Sequence, residues 1–97
     1  MTAALHEFSG AWLTTMRSAA GLTIADVAGI LRINGMGRRN PWFRWDIEPT
    51  LRAIEAGKRL PSPEQLLTLV PIFDFNLAEY RRLVEAETAK AAETAHV

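Results

Sequence analysis

The chain has 97 residues, the length of a single domain, and 48% of them are hydrophobic, so a globular fold is expected rather than disorder. It contains no cysteine, which excludes disulfides and thiolate metal sites, and no apolar stretch of the roughly 20 residues that cross a bilayer. Its first residues lack the basic start and apolar run of a signal peptide, so we expect a soluble cytoplasmic protein.

The net charge is zero, but the charges are distributed unevenly. Residues 1–31 have a balance of −1, residues 32–59 a balance of +4 and residues 60–97 a balance of −3. The middle segment is therefore the part that would meet a polyanion, and the acidic last third would face away from it. The alternative is chance clustering, because charges on a small domain are never uniform.

Apolar residues recur at spacings of three and four, which predicts helices throughout the chain. The first helix is expected over about residues 8–20, with Gly21 ending it. The second begins after Thr23, which forms a box-like pair with Asp26 three residues later. The residues predicted to be buried on this second helix are Ile24, Val27, Ala28 and Leu31.

A third helix is predicted after an irregular stretch. Asn40 and Pro41 have the pattern of an N-cap followed by a first helical residue, which predicts one short helical turn reaching Trp45. Asp46 then caps the third helix, which runs to the residue before Gly57.

Two further helices complete the predicted all-α fold. Ser62 as N-cap and Pro63 as first residue start the fourth helix, and the fifth begins near Asn76. The end of the fifth helix has only alanine for an apolar face. We therefore predict a domain over residues 1–85 and a C-terminal helical tail over residues 86–97 that frays or stands in solvent.

Several short motifs carry a resemblance to a known family. The Met16-Arg17 pair is followed by "GLT" at residues 21–23, and "IEAGKRLPS" occupies residues 54–62. Over about residues 11–84 this pattern resembles the Cro/CI-type (XRE) helix-turn-helix family of bacterial and phage regulators. The resemblance implies a five-helix lambda-repressor-like domain that binds double-stranded DNA sequence-specifically. It also implies a transcriptional repressor that acts as a homodimer and needs no cofactor.

The resemblance implies structural roles for four residues. Arg17 would form a salt bridge with Glu55, tying the first helix to the end of the third. Ala28 would allow the second and third helices to cross closely, and Gly57 would supply a left-handed turn. The alternative for the charged pair is two independent surface charges of little energetic value.

The resemblance also places DNA contacts. Lys58 and Arg59 would lie at the phosphate backbone. The groove-facing positions of the third helix map to Glu48, Pro49, Thr50, Arg52 and Ala53. The proline and the alanine offer no hydrogen bonds to base edges, although Glu48 can accept from cytosine and Arg52 could reach guanine. Ile24 stands where the family commonly has a phosphate-contacting glutamine, so direct readout is expected to be thin.

The main departure from the family is an insertion over residues 33–46, inside the turn of the helix-turn-helix. Nineteen residues separate Leu31 from Leu51, far more than in typical members. The insertion holds three arginines and three aromatic residues: Arg38, Arg39, Trp42, Phe43, Arg44 and Trp45.

Three interpretations of this insertion remain open. The aromatic residues could fold back as a satellite core, which is the commonest fate of loop aromatics. The arginines could bind phosphate or a minor groove beside the third helix. Alternatively, residues 37–46 could form an interface with a protein partner. We favour a combination in which the tryptophans hold the loop and the arginines face outward.

The predicted dimer surface lies on the fourth and fifth helices, although the same residues could close the core of the monomer. These residues are Phe73, Phe75, Tyr80 and Leu83. The alternative function is a helix-turn-helix scaffold for protein binding, such as an antitoxin or anti-activator, which the zero net charge favours. We expect no enzymatic activity and no metal site, because His6 and His96 lie near opposite ends without ligand-like neighbours.

Overall fold

The computed structural model describes residues 5–34, 40–42 and 45–95. Within these ranges the chain forms five helices and no strand, which confirms the all-α class. The helices are α1 (Glu7–Ala19), α2 (Ile24–Asn34), α3 (Ile47–Glu55), α4 (Pro63–Phe73) and α5 (Leu77–Ala95). No helix in the described ranges has both the length and the apolar character needed to span a membrane.

The first helix is the centre of the packing, because α1 contacts α3, α4 and α5, whereas α2 packs mainly on α3. Each of the first four helices contributes at least one fully buried aliphatic side chain to a single core. These side chains are Leu13, Val27, Leu31, Ile47, Leu51, Ile54 and Leu69. The core therefore fixes α3 against both α1 and α2.

Helix starts follow the capping signals of the sequence. The Thr23 backbone N–H donates to the Asp26 carboxylate at 2.9 Å, and the Asp26 N–H donates to the Thr23 hydroxyl at 3.1 Å. Ser62 and Gln65 form the same reciprocal box at the start of α4. The Asn76 side chain accepts from the N–H of Ala78 at 2.9 Å at the start of α5. These boundaries match the predicted ones closely.

Of the two predicted starts before α3, the one at Asn40 and Pro41 is wrong, and the one at Asp46 is right in position. Residues 40–42 are not helical. The Asn40 side chain instead accepts from the Trp42 N–H at 3.0 Å and donates to the Leu31 carbonyl at 3.3 Å, so it ties this segment to the end of α2. Asp46 does precede α3, but its side chain makes no capping hydrogen bond.

The aromatic residues predicted for a dimer surface are buried within one chain, which is the alternative that the sequence left open. Phe73, Phe75 and Tyr80 belong to the core, and Leu83 is half-buried. The ring centroid of Trp12 lies 5.4 Å from that of Phe75 in an edge-on arrangement and 6.0 Å from that of Tyr80 in a tilted one. These aromatic side chains therefore close the core of the single chain.

The fifth helix shows no break at the boundary predicted after residue 85. It continues as one helix from Leu77 to Ala95. Glu87, within the segment predicted as a tail, is buried and bonds to α1. Packing therefore extends at least two residues beyond the predicted domain end.

Candidate nucleic-acid interface

Helix α3 has one face in the core and one face in solvent. Its buried residues are Ile47, Thr50, Leu51 and Ile54. Pro49 and Arg52 are exposed, with Glu48 and Ala53 half-buried beside them. The expectation that Thr50 faces a DNA groove is wrong. Its side chain is only 8% exposed, because positions three and four residues apart share the buried side of the helix.

A left-handed turn at Gly57 ends α3 and fixes the residues that follow. Gly57 has φ of 78° and its N–H donates to the Ile54 carbonyl at 3.0 Å. The Lys58 N–H donates to the Ala53 carbonyl at 2.9 Å, which completes a Schellman motif. Lys58 and Arg59 then leave the motif with exposed side chains. With Arg52, they give the end of α3 three exposed cationic residues.

An ion pair joins the end of α1 to the end of α3, as the sequence led us to expect. Arg17 Nε lies 2.8 Å from Glu55 Oε2, and a second guanidinium nitrogen lies 3.0 Å from Oε1. The same guanidinium donates to the Leu22 carbonyl at 2.8 Å, and the Thr14 hydroxyl donates to Glu55. Hydrogen bonding to Glu55 raises the pKa of Arg17 and outweighs burial, which lowers it. One guanidinium thus ties α1, the α1–α2 turn and α3 together.

Helices α2 and α3 pack against each other. Ala28 of α2 is buried in the same core cluster as Leu51 and Ile54 of α3. Ile24, the first residue of α2, is partly buried and packs against the core. Its apolar side chain therefore contributes to packing and has no polar atom to offer a phosphate.

The beginning of α1 lies directly on the turn that ends α3. A Cβ atom added at Gly10 would lie 2.5 Å from the Glu55 carbonyl oxygen, and one added at Gly57 would lie 2.5 Å from the Glu7 nitrogen. The His6 N–H also donates to the Gly57 carbonyl at 3.3 Å. The two backbones therefore approach as closely as glycine allows.

Glu87 is a residue of this region that we did not single out from the sequence. Its Oε2 accepts from the Ser9 backbone N–H at 2.9 Å, and its Oε1 lies 3.3 Å from His6 Nδ1. Burial raises the pKa of the Glu87 carboxyl, but the hydrogen bonds from Ser9 and His6 outweigh it and hold the pKa below its ordinary value. Burial, together with the Glu87 charge, raises the pKa of Tyr80 to about 12.

A signal for Glu87 is present in the sequence. The face of α5 that packs on the domain repeats at spacings of three and four residues. Its members are Leu77, Tyr80, Val84, Glu87 and Ala91. An acidic residue in the middle of such a stripe indicates a buried carboxylate with a partner, because an unpaired one would be costly.

The insertion is attached to α4 by Trp42. This side chain is 3% exposed, and its Nε1 donates to the Thr68 hydroxyl at 2.8 Å. The Gln65 side chain donates to the Pro41 carbonyl at 3.1 Å. Trp45, by contrast, is 86% exposed. Our interpretation that the tryptophans hold the loop is therefore right for Trp42 and wrong for Trp45.

Three predicted DNA-binding residues, Arg38, Arg39 and Arg44, lie outside the described residues. Phe43 of the insertion and His96 near the C-terminus also lie outside them. Across the described ranges, no group of three or more acidic or histidine side chains could hold a metal ion. Comparisons of the chain with protein-family models, with curated proteins and with solved structures find no match.

Proposed function

We propose that this chain is a Cro/CI-type helix-turn-helix protein that binds double-stranded DNA sequence-specifically and acts as a transcriptional repressor in the form of a homodimer. The observation that carries this proposal is the end of α3. An exposed helix face bearing Arg52 leads into a rigid turn that presents Lys58 and Arg59. Such an arrangement suits a helix lying in a groove with cations beside it on the phosphate backbone.

Phosphate contacts would provide most of the affinity. Lys58 closes the Schellman motif with its own N–H, and Arg59 follows it directly, so little ordering of the backbone at Lys58 is required when it meets DNA. Of the residues exposed on α3, Arg52 would reach guanine, whereas the half-buried Glu48 would accept from cytosine. Readout by α3 alone would be limited, and we propose that Arg38, Arg39 and Arg44 of the insertion add phosphate or minor-groove contacts.

The ion pair of Arg17 and Glu55 supports the proposed DNA binding by holding α3 in place rather than by contacting DNA. A recognition helix must be held at a defined angle to the rest of the domain. The guanidinium bonds to Glu55 at one end of α3 and to the Leu22 carbonyl just before α2. It therefore stabilises the relative placement of the two helices that would form the helix-turn-helix unit.

Phosphate-driven binding can be tested with a salt series on a random duplex. The logarithm of the binding constant should fall steeply with the logarithm of salt concentration between about 50 and 200 mM. Replacing both Lys58 and Arg59 by alanine should reduce the magnitude of that slope by about 1.8, which is about 0.9 for each lost phosphate contact. The absence of binding by the unmodified protein, even at the lowest salt, would refute the proposal.

A matched control is available on α5. Arg81 and Arg82 are also adjacent, exposed basic residues, but they lie in the acidic last third of the chain. Replacing both by alanine removes the same charge and should leave the slope nearly unchanged. Equal effects of the two double substitutions would mean that net charge, rather than the turn after α3, determines binding.

Selection from a random duplex pool would then test sequence specificity, and paired half-sites about one helical turn apart would indicate a dimer.

One observation favours the alternative function, a scaffold for protein binding. Ile33 and Trp45 are 69% and 86% exposed, and they lie near the two ends of the insertion. Large exposed apolar side chains are favoured anchors of protein interfaces. Under this alternative the chain would show no salt-dependent affinity for a duplex, so the same salt series separates the two functions.

A further inference from the structure

Helix α1 begins without a capping side chain of its own. His6 occupies the N-cap position and makes no side-chain capping hydrogen bond. The acceptor for the Ser9 N–H is instead the carboxylate of Glu87, which lies 78 residues away on α5. A cap from a neighbouring residue would satisfy the same N–H. A carboxylate from another helix additionally fixes the start of α1 relative to α5.

The first residues of α1 also pack directly against the turn that follows α3. His6 donates its N–H to the Gly57 carbonyl, and the backbone at Glu7 leaves no space for a Cβ atom at Gly57. One residue beyond, Lys58 donates its N–H to the Ala53 carbonyl. Contacts therefore run without interruption from Glu87, through residues 6–9, to the backbone that carries Lys58 and Arg59.

We propose that Glu87 is a positioning residue for the turn of residues 57–59. By fixing the start of α1 from α5, Glu87 holds this turn in the geometry in which Lys58 and Arg59 meet phosphate. The role toward phosphate rests on the proposed function, whereas the role in holding the turn does not. Glu87 itself touches no nucleic acid, because its carboxylate is buried against Ser9 and His6.

The first test measures duplex affinity for Glu87→Ala and Glu87→Gln, well below the unfolding temperature. Coupling through packed contacts typically changes affinity by about two- to thirtyfold, and we expect a loss in this range for the alanine variant. The glutamine variant should lose less, because its amide oxygen can still accept from the Ser9 N–H. The exposed Glu85 on the same helix is the matched control, and Glu85→Gln should bind as the unmodified protein does.

The second test repeats Glu87→Ala in a chain in which Lys58 and Arg59 are already alanine. If Glu87 acts through the turn, the substitution should cause no further loss of affinity in that background. An equal loss in both backgrounds would overturn the proposal, because it would mean that Glu87 affects binding by another route.

The third test follows amide hydrogen exchange and needs no DNA. Glu87→Ala should accelerate exchange of the Lys58 amide about tenfold or more beyond any acceleration at the Leu69 amide, which lies in the buried part of α4 and reports global opening. Acceleration at Lys58 no greater than that at Leu69 would mean that Glu87 does not hold the turn in particular, and it would overturn the proposal. Failure of the unmodified protein to bind any duplex would refute the proposed function and the role toward phosphate, and exchange alone would then decide whether Glu87 holds the turn.

Discussion

Gly57 combines two constraints that a side chain would violate. Its φ of 78° lies in the left-handed region, and an added Cβ atom would lie 2.5 Å from the Glu7 nitrogen. Gly29, within α2, has neither constraint, since nothing lies within 4 Å of the position that a Cβ atom would take and its backbone is helical. The two glycines therefore provide a comparison of the same substitution in opposite environments.

We expect Gly57→Ala to lower the free energy of unfolding by about 2 kcal/mol or more, from backbone strain and the contact with α1. We expect Gly29→Ala to raise it by up to about 1 kcal/mol, because alanine is the better helix former. Urea denaturation of both variants measures the two effects. Equal tolerance of alanine at both positions would contradict the close approach of α1 to the turn.

Glu87 should make stability depend on pH in the acid range. Its folded pKa lies below the ordinary value of 4.5, so its ionised form contributes stability that is present above that value and is lost as the pH falls through the folded pKa. Glu87→Gln cannot titrate. The difference in unfolding free energy between the unmodified protein and this variant should be largest above the ordinary pKa and should shrink as the pH falls below it.

Denaturant unfolding at several pH values measures this difference. Glu85→Gln, which removes an exposed carboxylate from the same helix, is the matched control for the loss of one carboxylate. A pH-independent difference for Glu87→Gln would mean that the charge of Glu87 does not stabilise its contacts with Ser9 and His6.

At the scale of elements, the two tryptophans of the insertion differ in burial, so we expect them to contribute differently to stability. Trp42 is buried and bonds to Thr68, whereas Trp45 is exposed to solvent. Trp42→Ala should lower the free energy of unfolding by about 3–5 kcal/mol, as expected for a large buried side chain. Trp45→Ala should change it by no more than about 0.5 kcal/mol. Thermal unfolding monitored by circular dichroism distinguishes the two, and a large loss for Trp45→Ala would contradict its exposed position.

Sequence reasoning predicted the elements whose signals are local. The pair of Thr23 and Asp26, the box starting at Ser62 and the turn at Gly57 are each determined by a few adjacent residues, so the helix boundaries there were found. It failed at Asn40, whose side chain bonds to the Leu31 carbonyl rather than capping a helix. That partner belongs to another element, and nothing in residues 40–45 indicates it.

The candidate site was predicted only in part for the same reason. The Arg17–Glu55 pair was expected from a family pattern, not from the physics of the residues themselves. Thr50 was assigned to the wrong face of α3, because the register of a nine-residue helix is decided by what packs against it. For Phe73, Phe75 and Tyr80 the choice between a dimer surface and the core of the monomer stayed open, because an apolar face on one helix does not reveal whether its partner lies within the chain or outside it.

At the scale of the whole molecule, the extent of the folding unit is testable by shortening the chain. A chain ending at Ala86 lacks Glu87 and leaves the Ser9 N–H without its acceptor. We expect this chain to lose about 1–3 kcal/mol of unfolding free energy, the usual cost of a buried unsatisfied donor. A chain ending at Ala91 keeps Glu87 and should lose much less. Similar stability of both chains in urea would support the boundary after residue 85 instead.

The long separation between Ser9 and Glu87 also has a consequence for synthesis. A ribosome makes α1 early and reaches its capping carboxylate 78 residues later, a delay of several seconds at about 5–20 residues per second. In the last part of that interval, after residue 59 has been made, the nascent chain already contains Lys58 and Arg59, but the contact that secures the start of α1 does not yet exist. Chains that have not reached Glu87 therefore carry the basic residues without this contact, which forms only once Glu87 has been synthesised.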